Sequence, residues 1–112
     1  MLLTKEFTFD SAHKLSWHTG KCKDMHGHSY KLQVTVSGEL DENGIVIDFG
    51  DMKKIVSEKV LVFLDHKNLN DVLDNPTAEN IAVWIWNKLK SELDLHEIKL
   101  WETATSFVTY RG

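Results

Sequence analysis

The sequence predicts an α+β protein in the order ββααββ, in which a four-stranded antiparallel sheet carries two helices on one face. Three observations predict this arrangement. Apolar and polar residues alternate over residues 2–13 and 26–39, as they do in strands with one buried face. The middle of the chain instead repeats apolar residues at helical spacing. Alternation then resumes over 96–104, and 106–111 forms a last strand.

The first half of the chain contains the two longest predicted strands. In residues 2–13 the odd positions include Phe7, Phe9 and His13, so one face of this strand is apolar and ends in a histidine. Residues 14–25 predict an irregular loop, and the strand over 26–39 follows it. A turn is expected at Asp41-Glu-Asn-Gly44, because Asn-Gly readily supplies positive φ angles.

Two helices are predicted between the strand pairs. Asp48 is a suitable N-cap for the first, whose apolar positions are Met52, Ile55, Val56, Val60, Phe63 and Leu64. A polar segment, Leu64–Asn70, ends it, and Pro76 marks the start of a second helix from Thr77 to about Leu93. Trp84 and Trp86 make this helix apolar on more than one side. They either extend the core or meet another subunit.

The strand over 96–104 has two possible orientations. In one, Glu102 shares a face with Ile98 and Leu100, and its carboxylate must be paired, hydrogen-bonded or neutralised because an unpaired buried charge is costly. In the other, Trp101 faces inward and Glu102 is exposed. The sequence leaves both orientations open.

Length and composition limit the classes of function. A chain of 112 residues is expected to form one domain over 1–112, small enough to gain from oligomerisation. With 17 acidic and 13 basic side chains, the net charge of −4 gives no general attraction for nucleic acid or anionic membranes. No run approaches the ~18 apolar residues of a membrane span, and the N-terminus lacks a signal-peptide pattern. We therefore expect a cytoplasmic protein.

Three histidines are the strongest candidates for a functional site. His26 and His28 project to the same side of an extended strand, and His13 ends the apolar face of the strand before it. Three imidazoles without a fourth protein ligand are typical of a catalytic zinc site, where water or substrate completes the coordination. Imidazole also suits copper, iron and nickel, so zinc is the favoured metal. The alternative is that these are ordinary strand and core histidines.

The single cysteine, Cys22, lies four residues before His26. It cannot form an internal disulfide, so packing, metal binding or reactivity must account for it. A closed structural zinc site would use Cys22 as the fourth ligand, whereas a catalytic site would leave its thiol free.

Asp65 and His66 can be explained without a functional role, as polar residues at the C-terminus of the first predicted helix.

Taken together, the motifs resemble the 6-pyruvoyl-tetrahydropterin synthase and 6-carboxy-tetrahydropterin synthase superfamily over nearly the whole chain. The matching segments are Phe9-Asp-Ser-Ala-His13-Lys-Leu15, Cys22-x₃-His26-Gly-His28, Asp48-Phe49, Leu64-Asp65-His66-x₂-Leu69-Asn70, Pro76-Thr77-x-Glu79-Asn80, Trp84-x-Trp86 and Glu102-Thr103. The three residues between Cys22 and His26 are similar to the carboxy-forming branch. The animal pyruvoyl-forming enzymes have a longer insertion there.

The resemblance implies a role for each site residue. His13, His26 and His28 are the implied zinc ligands, and Cys22 is the implied catalytic base. Asp65 and His66 are implied to form a proton-relay pair, and Glu102 to anchor the pterin ring. Thr77 and Glu79 are expected to help line the pterin pocket, although helix capping explains Thr77 nearly as well.

The resemblance also implies a fold, an assembly and a reaction. The fold is the tunnelling fold (T-fold), whose subunits form trimers that pair into homohexamers. The reaction is a zinc-dependent lyase step that converts 7,8-dihydroneopterin triphosphate to 6-carboxy-5,6,7,8-tetrahydropterin, acetaldehyde and triphosphate, towards queuosine and other 7-deazapurines. The alternatives are formation of 6-pyruvoyl-tetrahydropterin and a non-catalytic zinc-binding module.

Overall fold

The computed structural model describes residues 1–112 and has the predicted α+β architecture. Its strands are β1 (Leu2–His13), β2 (His26–Ser37), β3 (Lys67–Asn68), β4 (Leu95–Trp101) and β5 (Phe107–Tyr110). Its helices are α1 (Phe49–Val56), α2 (Val62–Leu64) and α3 (Ala78–Leu89), with a π-helical segment Ser57–Leu61 joining α1 to α2. No helix combines the length and the apolar character needed to cross a bilayer.

The sheet has five strands in the order β3-β1-β2-β4-β5. The four predicted strands pair antiparallel, with β1 and β2 in contact along their whole length from Leu2↔Ser37 to His13↔His26. The fifth strand, β3, is a correction to the prediction because it pairs parallel to β1 at Ser11↔Lys67. Two polar residues carry no alternation, so only the return of the chain to the β1 edge reveals this strand.

The core lies between one face of the sheet and the helices. It contains the alternate residues of the long strands that the sequence placed inward, together with one stripe from each helix. Its fully buried members include Tyr30, Leu32, Val34, Met52, Val56, Val60, Leu64, Ile81, Ile85, Leu89, Ile98 and Leu100. Trp84 and Trp86 are partly buried and pack against this core, which agrees with the view that they extend it.

The first helical run departs from the predicted stripe at its end. Met52, Val56, Val60 and Leu64 are all fully buried at intervals of four residues, whereas Phe63 is 49% exposed. A regular helix with about 3.6 residues per turn would rotate such a stripe progressively around its axis. The wider π-helical turn counteracts that rotation and keeps Leu64 facing the sheet. The inward placement of Phe63 was therefore wrong.

Several predicted boundaries shift by a few residues. The second strand ends at Ser37, the last helix at Leu89 and β4 at Trp101. Glu102 begins the turn between β4 and β5, where its N–H donates to the carbonyl of Ser106 at 3.0 Å. The turn therefore takes the residues after Trp101 out of the predicted strand.

The starts of α1 and α3 have side-chain caps. The carboxylate of Asp48 accepts hydrogen bonds from the N–H groups of Gly50 at 2.8 Å and Asp51 at 3.2 Å. The hydroxyl of Thr77 accepts the N–H of Asn80 at 3.1 Å. These bonds satisfy amide groups that have no partner inside the helix.

We expect Asp48→Ala to lower the free energy of unfolding by about 1 kcal/mol, because two N–H groups of α1 lose their acceptor. Urea denaturation followed by circular dichroism measures this change. Asp48→Asn is the matched control, since an amide oxygen can accept the same bonds. Equal stability of the alanine variant and the wild type would contradict the capping role.

Candidate metal centre and active site

The three predicted ligand histidines converge at one end of the β1–β2 ladder. His13 lies directly opposite His26 in the register, and His28 lies two residues further along β2. One ring nitrogen from each histidine falls within a group whose members are all within 4.8 Å of one another. His13 is fully buried, while His26 and His28 are partly buried. The site therefore forms where the apolar face of the sheet reaches its edge.

Hydrogen bonds fix the tautomers of two of these imidazoles. Nδ1 of His13 donates to the carbonyl of Pro76 at 2.7 Å, and Nδ1 of His26 donates to the carbonyl of Asp24 at 2.7 Å. Because a carbonyl can only accept, each Nδ1 carries the proton and each Nε2 keeps its lone pair. Backbone acceptors of this kind orient histidine ligands in metal sites.

The Nε2 atoms of His13 and His26 face each other without a proton to share. Nε2 of His13 and Nε2 of His26 are 3.1 Å apart, and Nε2 of His28 is buried without a hydrogen-bond partner. The two lone pairs of His13 and His26 repel each other unless a cation lies between them, and His28 adds a third imidazole nitrogen beside them. Neutral imidazole nitrogens are suitable donors for Zn²⁺, and a set of three leaves one position open for another ligand. The residues therefore fit a zinc ion.

Burial lowers the pKa of His28, because desolvation disfavours its charged form, and the neighbouring His13 and His26 act in the same direction. The carboxylate of Glu102 opposes this effect without reversing it. The balance keeps His28 neutral to a lower pH than an ordinary histidine, so its nitrogen remains available as a ligand.

The structure resolves the orientation of Glu102. Its carboxylate oxygens lie 3.7 Å from Nε2 of His28 and 3.9 Å from Nε2 of His13, so Glu102 faces the histidines. Trp101 lies on the opposite face, where its indole packs against Phe107 with ring centroids 4.7 Å apart. Of the two orientations that the sequence allowed, the one with Glu102 inward is the observed one.

Asp65 and His66 are held against the edge of β1. Oδ1 of Asp65 accepts the N–H of Asp10 at 3.0 Å and lies 3.0 Å from Nδ1 of His66. The N–H of His66 donates to the carbonyl of Asp10 at 2.7 Å. The Asp10 hydrogen bond is the main reason that the pKa of Asp65 is lowered, with a smaller contribution from His66. A carboxylate that stays ionised can orient and charge-stabilise the imidazole beside it.

His66 has an unusual backbone conformation for a residue with a side chain. Its φ of 55° lies in the left-handed region, and it is the one non-glycine residue with a positive φ. The conformation turns the chain from α2 towards β3 and leaves the imidazole side chain 79% exposed. This conformation is common for the residue that follows a helix C-cap, as His66 follows Asp65, so it agrees equally with a helix-end role and with a functional one.

Cys22 lies apart from the three gathered imidazoles. It is half-buried in a single helical turn, Lys21–Lys23, and its thiol does not belong to the group of potential metal ligands. The carbonyl of Cys22 accepts the N–H of Leu15 at 2.8 Å, which ties the loop back to the end of β1. The arrangement in which Cys22 closes a structural zinc site is not the one seen in this structure.

Two open clefts adjoin β2 at His28, the only one of the three histidines that lines either of them. One, of about 690 Å³, contains His66 and Lys67, and the other, of about 580 Å³, contains Lys31 and Glu102. Both share Gly27, His28 and Ser29 as a common wall. Because Gly27, Ser29 and Lys31 alternate with the inward residues of β2, both clefts lie largely on the face of the sheet opposite to the imidazoles.

The remaining predicted site residues lie elsewhere in this chain. Thr77 and Glu79 line neither cleft, and the hydroxyl of Thr77 caps α3. Sequence reasoning did not identify Asp10, Ser29, Lys31 or Lys67, all of which line a cleft. The sequence did contain a signal for the residues of β2. Ser29 and Lys31, like Gly27, alternate with the inward residues of this strand, so they share its other face.

Comparisons with known proteins agree with the geometry. Residues 2–112 match the family model described as 6-pyruvoyl tetrahydropterin synthase. The chain is 40% identical to the 6-carboxy-5,6,7,8-tetrahydropterin synthase of Haemophilus influenzae, over 97% of each chain. It is 41% identical to the dihydroneopterin monophosphate aldolase of Pyrococcus furiosus, over 85% of this chain and 83% of that protein.

A solved structure shows the same fold. The 6-pyruvoyl tetrahydropterin synthase of Caenorhabditis elegans superposes with a TM-score of 0.91 at 30% identity, covering 100% of this chain and 95% of that one. The predicted family and T-fold architecture are therefore confirmed, with the fifth strand as an addition. The chain belongs to the 6-pyruvoyl tetrahydropterin synthase family.

Proposed function

We propose that this chain is a zinc-dependent lyase that converts 7,8-dihydroneopterin triphosphate to 6-carboxy-5,6,7,8-tetrahydropterin. In this reaction the substrate and one water yield the carboxylated product, acetaldehyde and triphosphate, a step towards queuosine and other 7-deazapurines. The observation that carries the proposal is the convergence of one ring nitrogen from each of three histidines, two of which are held with an unprotonated Nε2.

His13, His26 and His28 are the residues that would hold the zinc ion. When bound, zinc supplies a Lewis acid that stabilises negative charge on oxygen atoms of the substrate side chain. Neither Cys22 nor Glu102, whose carboxylate lies 3.7 Å from Nε2 of His28, belongs to the group of converging ligand atoms, which leaves a coordination position for substrate. This open set favours a catalytic site over a structural one.

The proton transfers are assigned to two groups of this chain. In the proposed mechanism the thiolate of Cys22 removes a proton from a carbon of the substrate side chain. His66, oriented by Asp65 at 3.0 Å, carries a proton between neighbouring atoms of that side chain. Loss of triphosphate and a retro-aldol type cleavage then complete the reaction without a redox cofactor.

Glu102 is assigned to the pterin ring. An ionised carboxylate accepts hydrogen bonds, and the amino and ring N–H groups of a pterin are donors. The carboxylate of Glu102 lies 3.7 Å from Nε2 of His28, so a ring held by this carboxylate would lie beside the histidines. Fixing the ring in this way orients the reacting carbons.

Sequence identity alone does not choose among the reactions of this family. The 6-pyruvoyl tetrahydrobiopterin synthase of Dictyostelium discoideum is 39% identical, over 100% of this chain and 96% of that protein. The spacing of Cys22 and His26, similar to the carboxy-forming branch, favours our choice. The main alternative is formation of 6-pyruvoyl-tetrahydropterin.

Product analysis tests the proposal directly. Zinc-loaded protein is incubated with dihydroneopterin triphosphate, and every product is identified by mass spectrometry. Acetaldehyde together with free triphosphate supports the carboxy-forming reaction. A pyruvoyl product without acetaldehyde contradicts it, and the absence of any product favours a non-catalytic zinc-binding module.

We also propose that the single domain over 1–112 assembles into a homohexamer, as a dimer of trimers. Most of β1 has no partner on its outer side, since β3 pairs with it only at Ser11 and Ala12. At the other end of the sheet, β5 is also an edge strand. Exposed edges of this kind are templates for pairing with another chain.

Replacing His13, His26 or His28 by alanine should lower zinc occupancy and activity together, because each supplies one of only three ligands. Zinc content is measured by inductively coupled plasma mass spectrometry after dialysis. His96→Ala is the matched control, since His96 is exposed on β4. Full zinc retention in all three variants would remove the metal-site assignment.

The sheet and helices should survive chelation, and global unfolding of the metal-free protein would favour structural zinc.

Glu102→Gln should weaken binding of a non-reacting pterin about tenfold, because one charged acceptor is lost from the ring site. Zinc binding should change less, since Glu102 is not one of the three gathered ligands. Isothermal titration calorimetry with oxidised neopterin measures the ring affinity. Glu39→Gln, at an exposed position, is the control. Unchanged affinity in the Glu102 variant would place this carboxylate outside the pterin pocket.

Cys22→Ala should keep zinc near one equivalent per subunit while kcat falls by roughly 10²–10⁴-fold, the usual contribution of a positioned base. Iodoacetamide should label Cys22 in the wild type, and bound pterin should protect it. Reduced zinc binding in the alanine variant would instead indicate a metal ligand. Turnover at the wild-type rate would overturn the assigned mechanism.

A further inference from the structure

The outer edge of β1 has a partner at alternate residues near its end, because the backbone N–H and carbonyl groups of every second residue face that edge. At Asp10 the partners are the side chain of Asp65 and the N–H of His66. At Ala12 the partner is β3. Lys14 lies one residue past the end of β1 and beyond the last residue that β3 reaches, so its edge-facing groups need another partner.

The side chain of Asn70 is that partner. Its Oδ1 accepts the N–H of Lys14 at 2.9 Å, and its Nδ2 donates to the carbonyl of Lys14 at 3.0 Å. One amide thus satisfies both backbone groups of a residue 56 positions away in the sequence. We call this pair of hydrogen bonds the Asn70 clamp. It continues the edge pairing of β1 past the end of β3.

The Asn70 clamp has a fixed base. Asn70 lies in the single turn Leu69–Asp71, and the side chain of Leu69 is fully buried in the core. The N–H of Asn70 also donates to Oδ1 of Asn68 at 3.1 Å. Only one orientation of the amide satisfies both bonds to Lys14, since a rotated amide would face donor against donor and acceptor against acceptor. The position of Asn70 therefore fixes the position of the Lys14 backbone.

Lys14 connects two parts of the candidate site. The residue before it, His13, provides one of the converging ring nitrogens. The residue after it, Leu15, is buried, and its N–H donates to the carbonyl of Cys22 at 2.8 Å. A shift of the Lys14 backbone would therefore displace both His13 and the loop that carries Cys22.

We infer that Asn70 is a positioning residue of this site. By clamping the Lys14 backbone, it sets the position of His13 at the metal centre and of the loop that carries Cys22. The roles of His13 and Cys22 rest on the proposed function, whereas the clamp is a feature of the fold. The amide of Asn70 forms its hydrogen bonds to the Lys14 backbone, so it acts on the site through that residue.

Hydrogen–deuterium exchange of the full-length protein measures the clamp directly. In Asn70→Ala, peptides covering residues 14–25 should exchange about tenfold faster than in the wild type, because the two hydrogen bonds that hold the start of this loop are lost. The Kd for zinc, measured by competition with a chromophoric chelator, should rise about tenfold, the lower end of the effect of changing groups that orient metal ligands. Neither measurement depends on turnover.

Asp48→Ala is the matched control, since it also removes a side chain that makes two hydrogen bonds to the backbone, at the start of α1. It should leave exchange over 14–25 and the Kd for zinc at their wild-type values. Asn70→Asp keeps the acceptor for the Lys14 N–H and loses the donor, so it should show the same two changes to a smaller extent. This variant carries the test if the alanine variant does not fold.

Kinetic measurements separate positioning from a general loss of stability. With dihydroneopterin triphosphate, Asn70→Ala should lower kcat about tenfold with a smaller change in KM, because displaced reacting groups affect the transition state more than substrate binding. Asp48→Ala should match the wild type in both constants. An unchanged kcat in Asn70→Ala would contradict the positioning role.

The inference also fails if either the exchange over 14–25 or the Kd for zinc is the same in Asn70→Ala as in the wild type, or if Asp48→Ala changes both equally. The proposed function fails separately, if Asn70→Ala shows both changes while the wild-type protein releases no product from dihydroneopterin triphosphate.

Discussion

The structure depends on the register between β1 and β2. The two strands pair over twelve residues each, and this register sets His13 opposite His26. Because side chains alternate between faces, a slip of one residue would turn His26 and His28 away from His13 and would also expose Tyr30 and Leu32. The hydrophobic core and the candidate metal centre are thus fixed by the same pairing.

The site has a rigid base because it continues the core. Tyr30, two residues after His28, is fully buried and stacks on Phe9 with ring centroids 4.9 Å apart. Burial raises the pKa of the Tyr30 hydroxyl, so this group stays neutral. Close packing under the imidazoles limits their rotation, and the carbonyls of Pro76 and Asp24 fix the rings of His13 and His26 from outside.

The arrangement of donors has an energetic cost that a metal ion can offset. Burying the Nε2 atom of His28 without a partner disfavours the metal-free fold, as does placing two unprotonated nitrogens of His13 and His26 3.1 Å apart. Groups at functional sites are often kept in such unfavourable surroundings because the rest of the fold holds them there. In this chain the β1–β2 ladder and the helices that cover it provide that support.

The sequence alone determined the strand faces, the cap at Asp48 and the metal-binding potential of the three histidines, because alternation and capping are local properties of neighbouring residues. It did not determine the parallel strand β3, the inward orientation of Glu102 or the separation of Cys22 from the imidazoles. Each of these depends on where distant segments meet: Asp65 and His66 against Asp10, and the end of β4 against the start of β2.

The outward position of Phe63 likewise follows from a π-helical turn that the tertiary packing of Leu64 against the sheet favours. The two clefts exist only once the sheet is assembled, since their lining residues come from segments far apart in the chain.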